Sequence, residues 1–563
     1  MRIFFLRVTL TLYSLAMIIQ CVFARVPQIS DYSTTPITAQ TEIITLNPLP
    51  LNKLFTDTKD GIFIFDKDFD NKILENANYL KAIVQSQHLI KMTFLKPDIP
   101  NPEFIILAKG DKIKWLFDIA VVGSSVTIKD NSLILTTDIN TLLDQLNKIR
   151  EQTNANVENA RKNGMKMNFE EIDELFAEAD KYKDKVEKCI QSNKPEKIGE
   201  NAERFNYYIL EAYVRSLSSN PAQFRGILYS LSDKSKDKIV RDIKDIKESG
   251  FNVIFIHTFY GGETVYPSKV IQQNAKFADS DPLQTVMEEC HKNNLEVHFW
   301  VDNYLIGSKE SILAERFSFW LAKNRNNESS SDFEKDKLFL CPTNDEVQDF
   351  LLNLYREMLI KYNPDGFHLT YLRYPIGTTP DQSFCFCHNC RAKFFKEYEV
   401  DVAQIELDKS PEMKQKWENF KLNQIELFIQ KLSSSLKSIK PELYLSIPIY
   451  PDPEASKQYM VQDWITYSEK GYFDFFVPSF YSEYLPEIEK YLVKYSSVNM
   501  KINSIPAIGS YFELAPLNLI NQIHLLEENG YKGNIIFYYD GLRREDKNYL
   551  KFGPYKTPAA VKH

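Results

Sequence analysis

The chain lacks a net positive charge: 68 Lys and Arg stand against 76 Asp and Glu, a formal −8 at pH 7 over 563 residues. Without a broad basic field there is nothing to draw in nucleic acid or anionic lipid, which leaves neutral and acidic partners. Cysteine is scarce too. With Cys21 assigned to a leader, the remaining Cys189, Cys290, Cys341, Cys385, Cys387 and Cys390 are too sparse for a disulfide-built fold, so the core must come from packing. Beyond the N-terminus no stretch is apolar enough to cross a bilayer. Aromatic residues, by contrast, reach 13%. That suits stacking on sugar rings, and equally a genome whose coding bias favours Phe and Tyr.

The length exceeds what one core supports, so two or three domains are expected. The first 24 residues, MRIFFLRVTLTLYSLAMIIQCVFA, place Arg2 and Arg7 before an apolar run from Val8, with Val22 and Ala24 meeting the small-residue rule for cleavage. Residues 1–24 are expected to be an export signal, giving a periplasmic, cell-envelope or extracellular protein that starts near Arg25. Gln20 before Cys21 does not fit a lipoprotein site, and membrane contact is foreseen only through retention of this segment as an anchor. Over 25–138, β-like runs such as GIFIF, FIILA and VTIKD alternate with turns and predict a small α+β domain. Over 139–222 the period becomes helical, with Leu142, Leu146 and Ile149, then Ile172, Leu175, Tyr182, Val186 and Ile190. Two or three amphipathic helices packed as a hairpin are predicted. A coiled coil is the rival, and Gly164 interrupts its pattern.

Residues 223–555 alternate apolar strands with helices: FRGILYS, FNVIFIH, LEVHFWVD, DGFHLTYLRYP, LYLSIPIY, FDFFVPSFY, INSIPAIGS and GNIIFYYDG. Eight such units predict an α/β fold of the (β/α)8 TIM-barrel kind. Asp281 and Pro282 suit the start of one helix, and Gly250, Gly471 and Gly530 suit the ends of others. A doubly wound open sheet is the alternative, but no glycine-rich phosphate turn follows the first strand.

In a barrel, chemistry collects at the C-terminal ends of the strands, and alternation selects the inward side chains. The third strand offers His298, Trp300 and Asp302; the fourth, His368 and Thr370, followed by Arg373 and Tyr374. The fifth adds Tyr450 and Asp452, the sixth Ser479 and Tyr481, the eighth Tyr538 and Asp540. Carboxylates, aromatics and a guanidinium on one rim describe a cleft for poly- or oligosaccharide. No cofactor is expected. In FCFCHNCR, Cys385, Cys387 and Cys390 have spacings near those of zinc loops, with His388 as a fourth ligand. Metal, disulfide and buried thiols stand as three alternatives, and the metal content is left open.

The pieces FRGILYS, LEVHFWVDNY, LFLCPTNDEVQDFLLNLYREML, DGFHLTYLRYP, FCFCHNCRAKF, YPDPEASKQYMVQDW and YYDGL, in this order over about 224–552, resemble glycosyl-hydrolase-like family ten. The resemblance implies a TIM barrel acting on polysaccharide. Family members usually carry Asp where this chain has Thr370, and that Asp is the natural nucleophile or charge stabiliser. Thr lacks the charge an oxocarbenium-like transition state needs, and Asp365 lies at the start of the strand, away from the mouth. Catalysis then falls to Asp302, Asp463 or Asp540. Each has a structural alternative: Asp302 as a partner of Arg373, Asp463 in a helix cap or ion pair, Asp540 as a turn former. His368 has its own alternative as a hydrogen-bonded core residue, and Tyr450 and Tyr481 as closures of the mouth. The expectation is an exported glycoside hydrolase working by carboxylate acid/base chemistry. The alternatives are a non-catalytic glycan-binding envelope protein and an assembly module built on the helical region.

Overall fold

In a computed structural model of the chain, residues 40–45, 59–66, 71–96 and 102–559 are described, the last stretch apart from 120–122, 130–131, 138, 165–166, 193–196, 222, 233, 279, 378–381, 499–501 and 512–515. The segment expected to direct export lies outside the described residues. No helix among the described residues is long and apolar enough to cross a membrane.

Seven strands come first: β1 (Gln40–Thr45), β2 (Gly61–Asp66), β3 (Leu80–Gln85), β4 (His88–Thr93), β5 (Phe104–Lys109), β6 (Ser125–Lys129) and β7 (Ser132–Thr137). They form one antiparallel sheet in the order β1-β7-β6-β4-β3-β5-β2. Alternation along β3 and β5 sends Leu80, Ala82, Val84 and Ile106 to one buried face and Ile105 and Leu107 to the other. Helices Ile139–Lys162, Phe169–Gln191 and Ile198–Ser216 follow. Gly164, at φ +64°, turns the chain after the first of these, and the Asn168 side chain caps the second. Val157, Ile172, Phe176, Phe205 and Ile209 make their shared core.

The remaining strands form a curled sheet. They are β8 (Phe224–Tyr229), β9 (Val253–Tyr260) with its short hairpin partner β10 (Glu263–Thr264), β11 (Glu296–Asp302), β12 (Gly366–Thr370), β13 (Tyr444–Ile449), β14 (Phe475–Pro478), β15 (Asn503–Ser504), β16 (Ala507–Gly509) and β17 (Gly533–Phe537). Apart from β10, every pairing is parallel and follows chain order, and the last strand, β17, pairs with the first, β8. A doubly wound sheet reverses its order partway; this one does not. The seventh position is divided by Pro506, which has no N–H to give the ladder. Its first half pairs with β14 and its second with β17, while Phe480 N–H donates to Ala507 O (2.9 Å).

Two residues of period separate two cores. Phe224, Leu228, Val253, Phe255, Phe475, Val477 and Ile535 fill the inside of the curl, whereas Ile227, Ile254, Val297, Phe299, Phe367 and Phe476 face the surrounding helices. Each such side chain contributes about 1.5–3 kcal/mol through burial. Because the strands other than β10 run the same way, their C-terminal ends share one edge, and there the side chains of interest gather.

Candidate functional site

The register sets the centre of the site. Asp302 lies opposite Thr370, and Trp300 lies opposite both His368 on β12 and His257 on β9. Trp300 Nε1–H donates to Thr370 Oγ1 (2.8 Å), and the Thr370 hydroxyl donates its single proton across 2.6 Å to Asp302 Oδ1. The His257 ring lies flat on Trp300, with centroids 3.6 Å apart and planes 4° apart. His257 Nε2 stands 3.3 Å from Asp302 Oδ2, without hydrogen-bond alignment. Asp302 is thus a nearly buried carboxylate, 5% exposed, held on one oxygen by Thr370 and faced on the other by an imidazole.

Rings extend from this centre along the edge. Tyr260 packs on His257 (4.4 Å), Trp300 on Phe537 (5.8 Å), Phe537 on Tyr481 (5.7 Å) and Tyr511 (5.6 Å), and Tyr481 on Tyr511 (5.9 Å). His257, Trp300, Phe537 and Tyr481 are half-buried and Tyr511 is exposed, so the wall keeps part of its surface free. Desolvation raises the pKa of the Tyr481 and Tyr511 phenols, so both stay protonated as hydroxyl donors at neutral pH. Such a wall offers apolar faces with hydroxyl donors at their margins, which matches the faces and edges of pyranose rings.

Other residues singled out by sequence are held elsewhere. His368 is buried inside the curl, its Nδ1 3.0 Å from Ser446 Oγ, and desolvation with the neighbouring His298 drives its pKa down to about 3. It is a neutral interior ring. Arg373 does not pair with Asp302: its guanidinium forks onto buried Glu334 at 2.7 and 3.0 Å. Burial opposes ionisation of Glu334, but the hydrogen bonds and charge of Arg373 outweigh it and hold the carboxyl below its ordinary range. Tyr374, expected at the rim, is wholly buried with its hydroxyl 2.8 Å from Thr343 Oγ1. The cause is local: Tyr371 adopts φ +51°, β12 stops at Thr370, and alternation cannot be carried further.

Tyr450 is half-buried and meets Tyr491 edge-on (6.4 Å). Asp452 caps the helix Pro453–Met460 and pairs with Lys494. Asp463 caps the helix Trp464–Lys470 and pairs with Lys457 at 2.7 Å. Asp540 is exposed, just past β17, with Lys234 Nζ at 2.6 and 2.9 Å from its two oxygens. Tyr538 is half-buried against Phe537 (5.5 Å). A cleft of about 750 Å³ opens beside Lys234, between the starts of helices Lys236–Glu248 and Pro282–Lys292, and none of the wall aromatics lines it.

Sequence reasoning missed His257, Phe537 and Tyr511. His257 was within reach, since the alternation Val253, Phe255, His257 along β9 points to it. Phe537 required the parity of β17, which follows Ile535 inward and leaves Tyr539 among the outer helices. Tyr511 sits in a loop and has no periodic signal. Asp365 lies at the start of its strand and accepts from Val297 N–H (2.8 Å). The metal question also changes: His388 is exposed, and the fourth residue with Cys385, Cys387 and Cys390 is Cys341.

The glycosyl hydrolase DigH of Escherichia coli O6:H1 is 22% identical over 276 residues, covering 43% of this chain and 57% of that protein. The glycosyl hydrolase YngK of Bacillus subtilis is 22% identical over 237 residues, covering 39% of this chain and 40% of that protein. The matches thus span about half the length of these relatives. Among solved structures, the PgaB (BpsB) glycoside hydrolase domain from Bordetella bronchiseptica is 12% identical with a TM-score of 0.48, over 60% of this chain and 100% of that one. Residues 219–508, just over half of the chain, match the family described as Glycosyl hydrolase-like 10, and the chain belongs to that family.

Proposed function

We propose that this is an exported glycoside hydrolase in which a complete (β/α)8 barrel binds poly- or oligosaccharide along the aromatic wall and cleaves it with Asp302. The observation that carries the reading is the hydrogen-bonded run from Trp300 through Thr370 to Asp302, which ends in a fixed carboxylate beside stacking rings. Glycoside hydrolysis needs one carboxyl group to protonate the leaving oxygen and another to act as base or nucleophile. In this reading Asp302 is one of the pair. Of the other carboxylates that the sequence singles out, Asp463 is taken up by a helix cap and Lys457, which leaves Asp540, exposed just past β17 with Lys234 on both its oxygens, as the candidate for the other. Export rests on the Arg-flanked apolar run at the N-terminus.

A second reading, a glycan-binding protein without turnover, draws support from Thr370, an uncharged hydroxyl at the position where the family resemblance implies a carboxylate. Incubation with a panel of bacterial wall glycans and exopolysaccharides separates the two. Release of reducing ends by the wild type, lowered by about two powers of ten or more in Asp302→Asn with glycan still retained, is the expected result. Retention of glycan with no reducing ends from either protein would establish the binding reading instead.

A further inference from the structure

Cys341, Cys385, Cys387 and Cys390 come from three separate places: the end of the long excursion after β11, the loop after β12, and the first turn of helix His388–Tyr398. Their sulfurs nevertheless all lie within 4.8 Å of one another, and Cys341 Sγ is 3.4 Å from both Cys390 Sγ and Cys387 Sγ. All four are buried free thiols. A disulfide needs about 2.05 Å between sulfurs. Four thiolates at about 2.3 Å from one tetrahedral ion stand about 3.8 Å apart, within the spread seen here. Ordinary burial of cysteine as a small apolar residue explains the lack of exposure. It gives no reason for four sulfurs from three segments to meet at one point.

The surroundings favour a negative centre. Lys323 N–H points at Cys385 Sγ (3.3 Å). Lys421, buried on helix Pro411–Ile439, lies within electrostatic reach of Glu418 and of the Cys390 and Cys385 sulfurs. An ion bound by four thiolates carries a net charge of about −2, and a backbone N–H donor with a buried lysine side chain nearby is the company that charge needs. A cluster of several irons would require the sulfurs to be spread more widely.

We propose that these four cysteines bind one structural zinc ion, which pins the loops after β11 and β12 to helix His388–Tyr398. The ion would be closed by four protein ligands with no position left for substrate, so its contribution is to loop order.

The test uses the full chain expressed with zinc and purified without chelator. Metal analysis should return about one zinc per chain, and exchange for cobalt should give the ligand-field bands of a tetrahedral site with a thiolate charge-transfer band. Cys341→Ser should lose zinc to a chelator that leaves the wild type loaded, while His388→Ala should keep it. The wild-type stoichiometry and cobalt spectrum decide the matter even when the Cys341 variant fails to fold. A wild type without zinc whose four thiols all titrate, iron in place of zinc, a disulfide mapped to any pair of the four, or zinc kept by Cys341→Ser but lost by His388→Ala would each overturn the proposal.

Discussion

Thr370 has one hydroxyl and two tasks: it accepts from Trp300 Nε1 and donates to Asp302 Oδ1. Valine has nearly the same shape and can do neither. Thr370→Val should leave the indole N–H and the carboxylate oxygen buried without partners, at about 1–3 kcal/mol, read as a lower melting temperature at neutral pH. Thr370→Asp tests a different term. It would set two carboxylates in contact, where the present oxygens are 2.6 Å apart, and such a pair shares a proton with one raised pKa. The native state would then hold a proton that the unfolded chain releases above about pH 3.9. By linkage, stability relative to the wild type should fall as pH rises from about 4 and recover on acidification. Melting curves at pH 4 and pH 7 check the sign, and a variant equally stable relative to wild type at both would refute the contact. In the hydrolase reading the variant's rate optimum should also sit on the acid side, where the pair holds its single proton.

At the scale of elements, β12 shows where sequence reasoning holds and where it stops. Its alternation places His368 and Thr370 inward, and the neighbouring β11 places Trp300 and Asp302 beside them, all legible from a period of two. The eight apolar runs were legible for the same reason, since burial on both faces leaves a continuous hydrophobic signature. The left-handed residue Tyr371 then ends the pattern. Beyond it, partners are chosen by loops: Glu334, 39 residues away, takes Arg373, and Cys341 joins the later cysteine motif. No local spacing encodes such meetings. The Glu334–Arg373 fork makes a prediction for this loop layer. Arg373→Met should cost about 3–5 kcal/mol at neutral pH by stranding a buried carboxylate, and adding Glu334→Leu should recover much of that. Because Glu334 has a lowered folded pKa, its contribution is present above the unfolded value of about 4.3 and is lost as pH falls through the folded value. Urea unfolding should therefore show the gap between wild type and Arg373→Met narrowing on acidification. A gap independent of pH would rule out the ion pair as its source.

Across the whole molecule, the region of the antiparallel sheet meets that of the curled sheet through lysine contacts and through Tyr484, which packs on the first sheet's core. Lys114 reaches Glu483 (3.4 Å) and the Tyr484 hydroxyl (3.1 Å), while Lys490, on helix Leu485–Ser496, sits over the Phe94 ring (4.9 Å). Behind that ring, Lys81 of β3 is fully buried and donates to Phe94 O (2.6 Å) and Asn76 O (2.8 Å). Burial, joined by the charge of Lys490, lowers its pKa to about 8. Two lysines facing each other across a junction make the docking of the two sheets sensitive to alkali. Between about pH 8 and the unfolded lysine value near 10.4, the unfolded chain binds more protons than the native one, so stability climbs with pH through that window. Lys81→Met removes the titrating group. The unfolding free energy of the wild type relative to Lys81→Met, read by urea unfolding, should accordingly rise from pH 7 to pH 9.5 by an amount on the order of 2 kcal/mol. Lys490→Met keeps Lys81 but removes its repelling neighbour, which should raise the Lys81 pKa and flatten the rise. Were wild type and Lys81→Met to run parallel across the whole range, Lys81 would titrate as an ordinary lysine and the junction would not sense pH through it.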